Sequence, residues 1–266
     1  MRIIHWSTIG LALLSPLSAQ WVNYPTSGVP RTADGKPNLG APAPRAADGK
    51  PDFSGLWEPS TAGGNSAPVA GAAELAPEFT NIAARLKEPL PYRPATLELV
   101  KARQADNGKG NPDGLCLPLG MIRMHSHPFP RKILQVPGLI AILYEKNVDY
   151  RQIFTDGRPL PADPNPSFNG YSSGKWEGDT LVVETIGFRD DLWIDGSGNP
   201  LTESARVTER FRRPNFGNLE IEVTVDDPKA YTKAWTVKLN HHIKLDTDLM
   251  EYFCENERDI AHLVGK

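Results

Sequence analysis

Long apolar runs are scarce in this chain. The one near the start, 9–14, falls far short of the ~20 apolar residues needed to cross a bilayer, so no membrane span is expected. A basic surplus is also missing: Lys and Arg number 29 against 32 Asp and Glu, a formal net charge of −3. That balance argues against a nucleic-acid partner, which would need a clustered basic face. Cysteine occurs twice only, and neither copy has a second Cys or a His at finger spacing, so no structural zinc site is implied. No glycine-rich phosphate loop is present, of either the G-x-x-x-x-G-K-[ST] or the strand–G-x-G-x-x-G–helix kind. Nucleotide and dinucleotide cofactors are therefore not expected.

What is present fits an exported β protein. Hydrophobic residues make up 39% of the chain, enough for a core, and 25 Pro with 23 Gly suit many short strands joined by turns. Met1-Arg2, the short apolar run and the small residue Ala19 before Gln20 form a secretory signal over 1–19, which implies a periplasmic or extracellular location. In an oxidising compartment Cys116 and Cys254 form an even pair able to bridge; two buried thiols are the other reading.

A Pro/Gly-rich linker follows over 20–50. Within it Arg31-Thr-Ala-Asp-Gly-Lys-Pro-Asn-Leu39 recurs as Arg45-Ala-Ala-Asp-Gly-Lys-Pro-Asp-Phe53, each copy carrying turn chemistry. The first copy reads as linker and the second as the lead-in to a single β-rich domain over 51–266. A helical insertion near 74–106 holds one short helix from Pro77 to about Leu86 and another opened by Pro94. Beyond Arg131 the pattern is antiparallel strand at 133–136, 139–144, 150–154, 171–177, 180–188, 206–212, 219–225, 235–245 and 249–254. Roughly nine strands with no crossover helix predict an all-β meander that closes into a lipocalin-like barrel or folds into a sandwich. A parallel α/β sheet is excluded.

Strand alternation marks which polar side chains face inward. Glu209 shares a face with Val207 and Phe211, and His241 shares one with Leu239 and Ile243. Arg151 precedes Ile153 by two, and Glu184 lies between Val182 and Ile186. A buried charge is costly unless paired, so these four predict a polar patch or ligand site inside the barrel, or an internal salt bridge.

Two motifs compete with that reading. Gly170-Tyr-Ser-Ser-Gly174 fits a hydrolase G-x-S-x-G, which would need Ser172, Asp195 and His241 as a triad. The residues that follow form a hairpin, where the nucleophile elbow requires a helix. His125-Ser126-His127 would set two imidazoles on one strand face with His241 as a third metal ligand. Pro128 and Pro130 break the strand there, and no metal is assigned.

Pro51-Asp-Phe-Ser-Gly-Leu-Trp57 resembles the G-x-W opening of lipocalin-like barrels. The segment from Gly170 to Thr185, with Cys116-Leu-Pro-Leu-Gly120, Asp156-Gly157-Arg158, Glu209-Arg210-Phe211 and Glu251-Tyr-Phe-Cys254, resembles a family of exported bacterial proteins found in soil and aquatic Gram-negatives. The likeness covers nearly all of 51–256. It implies secretion, the cysteine pair and an all-β fold, and carries no activity over to particular residues.

Two functions follow as expectations. One is a cofactor-free acid–base enzyme, a lyase, isomerase or hydrolase, with Glu209 and His241 as acid and base and Arg151 holding an anionic group. The other is a non-catalytic binder of a small molecule, with Trp176, Trp193, Trp235, Tyr171 and Glu184 lining the pocket.

Overall fold

The computed structural model describes residues 24–60 and 76–254; the predicted signal over 1–19 and the start of the helical insertion lie outside them. In chain order the elements are β1 (Gly55–Pro59), α1 (Pro77–Thr80), α2 (Pro94–Ala105), α3 (Met121–Ser126), β2 (Arg131–Val136), β3 (Leu139–Tyr144), β4 (Tyr150–Phe154), β5 (Tyr171–Glu177), β6 (Thr180–Ile186), β7 (Leu192–Trp193), β8 (Pro200–Leu201), β9 (Arg206–Arg212), β10 (Asn218–Asp226) and β11 (Trp235–Ile243). Nine of the strands close a barrel in the order β1-β11-β10-β9-β6-β5-β4-β3-β2, while β7 and β8 pair separately. The fold is thus all-β with minor helices, and of the two expected closures it is the barrel.

Closure falls to a strand that the alternation did not mark. β1 pairs β2 through Trp57↔Arg131 and β11 through Trp57↔Ile243, so the opening Gly-x-Trp seals the wall. The stretch 249–254, expected as the last strand, contributes only the bridge Lys146↔Tyr252. Neighbours around a ring cannot all be antiparallel when the strand number is odd. β4 and β5 supply the one parallel junction, held by Ile153↔Ser172 and Phe154↔Ser173. A parallel pair needs a long crossover, and residues 155–170 provide it without a helix.

The helices also depart from expectation. α1 stops at Thr80 because Asn81 is extended at φ −143°, so the helix expected to reach Leu86 is one turn long. α3 falls over His125-Ser126, where no helix was expected and the following prolines argued against a strand, and all six of its residues are buried. A helix buried all round must satisfy its C-terminal carbonyls from the protein itself.

The two copies of the repeat fold alike. Thr32 N bonds Lys36 O, Gly35 N bonds Thr32 O and Asn38 N bonds Pro30 O; fourteen residues on, Ala46 N, Gly49 N and Asp52 N make the matching bonds to Lys50, Ala46 and Pro44. The first copy lies against the barrel, with Phe216 N and Gly217 N bonding Ala41 O and Leu39 O, both at 2.8 Å. The second delivers Phe53 into one end of the barrel, where its ring lies 5.2 Å from Trp176 and 6.2 Å from Phe211. Apolar side chains of β1, β3, β6, β10 and β11 complete the interior.

Cys116 and Cys254 form a disulfide with a sequence separation of 138 and a Cα–Cα distance of 5.4 Å. Closing so long a loop removes denatured-state entropy worth up to about 5 kcal/mol. Replacing both cysteines by serine is therefore expected to lower unfolding free energy by up to that amount while leaving the far-ultraviolet β signal intact. Equilibrium urea unfolding of the two proteins checks it.

Candidate functional site

Three residues singled out by alternation meet inside the barrel. Arg151 on β4, Glu209 on β9 and His241 on β11 are each at most 1% exposed. Arg151 and Glu209 form a bidentate pair, with Nη1–Oε1 at 3.0 Å and Nη2 on Oε2. Arg151 also donates to Ser172 Oγ from Nε and Nη2 at 3.1 and 3.0 Å, and to Thr185 Oγ1 at 3.0 Å. The guanidinium therefore spends its donor fork on three strands.

His125 of α3 joins them, its Nε2 2.7 Å from Glu209 Oε1. A carboxylate can only accept, so Nε2 carries the proton and Nδ1 is left bare, without a hydrogen-bond partner. His241 Nε2 and Arg131 Nη1 both donate to His125 O, at 2.7 and 2.9 Å. Arg131 Nη2 takes His127 O at 2.8 Å and Phe129 O at 3.1 Å. The guanidinium of Arg131 and the imidazole of His241 thus cap the C-terminus of α3, where the helix dipole favours donors and positive charge.

Electrostatics follow from this geometry. Burial alone would raise the Glu209 carboxyl, but Arg151 and His125 overcome it and hold Glu209 at about 2. Burial pushes His125 down despite Glu209, and pushes His241 well below 6.5 with Arg131 adding to the effect. Both imidazoles are neutral at pH 7. Tyr144, buried beside Arg151, is raised by burial, and its hydroxyl has no hydrogen-bond partner.

Other expected site residues lie elsewhere. Glu184 points outward, half-exposed, with Arg206 at 3.3 Å; the inward face of β6 is Leu181, Val183 and Thr185. The segment is apolar on both parities, so alternation did not single out a face, and the pairing Val183↔Glu209 fixes it. Trp176 stacks on Phe53 at the barrel end, whereas Trp193 lies beneath Arg103, 4.5 Å from its guanidinium. Trp235 packs edge-on to Tyr231 at 5.4 Å, and Tyr171 sits beside Phe154 at 5.3 Å. The aromatic set is scattered and lines no single pocket.

Neither competing motif assembles. Ser172 bonds Arg151 and Thr185, Asp195 bonds Ile82 N and Asn199, and His241 bonds α3, so no triad forms among the described residues. His125 is on a helix and His127 just beyond its end, with His127 Nδ1 accepting from Phe129 N at 3.2 Å. Among the described residues no three His, Cys, Asp or Glu side chains are grouped to hold a metal. Arg131 and Thr185 escaped the alternation argument, although Arg131 stands two before the inward Ile133.

Where β4 and β5 diverge, the wall opens outward. A cleft of about 370 Å³ there is lined by Tyr150, Phe154, Phe168, Asn169 and Tyr171, with Arg151 and Ser172 on its inner side. Asn169 Nδ2 bridges the gap, donating to Asp149 Oδ2 at 3.0 Å and Tyr150 O at 3.1 Å. That side-chain amide replaces the ladder bond a paired strand would supply.

These features define a closed barrel with a charged, hydrogen-bonded interior and a cleft at its one parallel junction. No protein-family model matches the chain, and no curated protein matches it significantly. No helix among the described residues is long and apolar enough to cross a membrane.

Two predictions test the network. Glu209→Gln leaves the Arg151 charge buried and unpaired, and is expected to cost roughly 3–5 kcal/mol. The double variant Arg151→Met, Glu209→Gln removes that charge and is expected to be the more stable of the two, measured by urea midpoint. The second concerns acid. Because His125 and His241 titrate lower in the folded than in the unfolded chain, the unfolded chain takes up their protons first. Stability is therefore expected to fall as pH drops below about 6.5, with Glu209 adding to the loss from about 4.5 downward. Urea midpoints between pH 8 and 4 measure it.

Proposed function

We propose that the protein is an exported small-molecule binder whose site is the cleft at the β4–β5 junction. One observation carries this reading: the cleft brings exposed and half-buried aromatic rings together with polar groups at the barrel's parallel junction, where only two register pairs join β4 to β5. A pocket of a few hundred Å³ with apolar walls and a few fixed polar groups is the usual form of a ligand site. The disulfide fits an oxidising compartment. The interior network gives the cleft a rigid inner side, because Arg151 and Ser172 are held by Glu209 and Thr185.

Glu209 does not suit the role of a base. Its carboxylate accepts from two partners and is held at about 2, far below neutrality. A second reading, acid–base chemistry, passes instead to His125. Its Nε2–H is oriented by Glu209 and its Nδ1 is bare, and with Ser126 it lines a crevice of about 10 Å³, room for about one water. A carboxylate-oriented imidazole with one free nitrogen is the arrangement of a general base.

The two readings separate in one experiment. The mature chain is incubated with a polar and lipid extract of its host and followed by native and time-resolved mass spectrometry. Binding in the cleft is expected to give a compound retained at about one per chain and lost from Tyr150→Ala and Tyr171→Ala. Retention by both variants would overturn the cleft. A compound consumed beyond protein stoichiometry, and spared by His125→Gln, would establish the second reading in its place.

A further inference from the structure

The two copies of the repeat share a backbone but not the use of their side chains. In the first, the Asp34 carboxylate is taken by Lys36 at 2.9 Å and by the Thr32 hydroxyl. In the second, Ala46 stands at the place of Thr32, and Lys50 reaches away to Gly178 O. Asp52 stands at the place of Asn38, which adds a carboxylate. Asp48 Oδ1 accepts from the Lys50 amide at 3.0 Å, and Asp52 Oδ1 from the Ser54 amide at 2.8 Å. Neither Oδ2 has a donor among the described residues. Arg213, beside Asp52, gives its Nη donors to the carbonyls of Asp52, Ser54 and Phe216.

The second copy is also tied across one mouth of the barrel. Arg45 pairs with Asp179 at the tip of β5–β6 through two bonds of 2.6 and 2.7 Å. At the other end Gln135 of β2 donates to Pro51 O and accepts from Phe53 N. Between these ties lies a cavity of about 330 Å³. Ala46, Asp48 and Asp52 line it from the repeat, and Val136, Ile140 and Trp176 from the barrel. That is room for a small organic molecule. Trp57 and Trp193 each carry a guanidinium, 4.8 and 4.5 Å from the ring. Among the described residues Trp176 carries none, so the part of its ring that Phe53 leaves uncovered is open to a ligand.

We propose that this cavity binds an organic ammonium compound, its apolar body against Trp176, Ile140 and Val136 and its charged nitrogen at Asp48 and Asp52. The cavity shares no lining residue with the β4–β5 cleft and does not depend on that site. Two carboxylates with no cation beside them attract a positive ligand and repel a negative one, while the apolar wall holds its body.

The test uses the mature chain and three compounds with one ring and one spacer that differ in charge: phenethylammonium, 2-phenylethanol and phenylacetate. Binding is read by calorimetry and saturation-transfer NMR at pH 7 and low salt. Phenethylammonium is expected to bind roughly ten-fold more tightly than the alcohol, with phenylacetate weakest. Asp48→Asn and Asp52→Asn are each expected to weaken it roughly three-fold, as for a partly solvated ion pair. Val136→Arg, at a position 52% exposed, sets a cation in the cavity and is expected to abolish binding, with the fold checked by urea midpoint. Equal affinity for all three compounds, or a preference for phenylacetate, would overturn the ammonium. Binding indifferent to the carboxylate variants and Val136→Arg would overturn the cavity, as would loss of binding in Tyr150→Ala, which belongs to the cleft. If none of the three binds, the proposal falls and the cleft is untouched.

Discussion

The pairing of Arg151 with Glu209 is the interaction on which the interior depends. An ion pair withdrawn from water repays its desolvation only when the remaining donors and acceptors are filled as well. Here Ser172, Thr185 and His125 complete that set. The chain of contacts then continues through His125 O to His241 and Arg131, joining β2, β4, β5, β6, β9 and β11 to a helix buried inside. Hydrophobic packing fills this barrel, but packing is tolerant of register. A bidentate contact is not, and it fixes how β4 faces β9 across the interior.

A second constraint is parity. Nine strands cannot alternate direction all the way round, so one junction must run parallel, and here that junction is held by two register pairs only. Other junctions carry three to eight. The shortest joint in the wall and the aromatic cleft are therefore one feature, and Asn169 occupies the place of the missing backbone bonds. The exported-binder reading follows from this coincidence: the geometry that leaves the wall incomplete also assembles the rings beside it.

Much of this was legible in the sequence because alternation is a strong signal where one parity is apolar. β9, β10 and β11 each had a single apolar face, and Glu209 and His241 were placed inward correctly. The same rule failed on β6, where both parities are apolar and only the neighbouring strand decides that Thr185 turns in and Glu184 out. α3 was missed for a different reason. Its six residues, three of them polar, are too few to establish a helical period, and their burial is set by what surrounds them. His125 was visible as a histidine but not as the partner of Glu209, since the contact spans 84 residues and depends on the helix.

The pairing of β1 with β11 has a consequence in time. The first strand of the barrel has both its neighbours later in the chain, and one of them, Trp235–Ile243, is the last strand of the barrel. Until that segment exists, β1 has an unpaired edge and Trp57 lacks half its surroundings. The wall cannot be completed piecemeal from the N-terminus, and the disulfide follows the same order, because Cys254 lies beyond even the closing strand. Closure of the wall at β1 is thus deferred by topology to β11, the last barrel strand in chain order, and rests on contacts of large sequence separation.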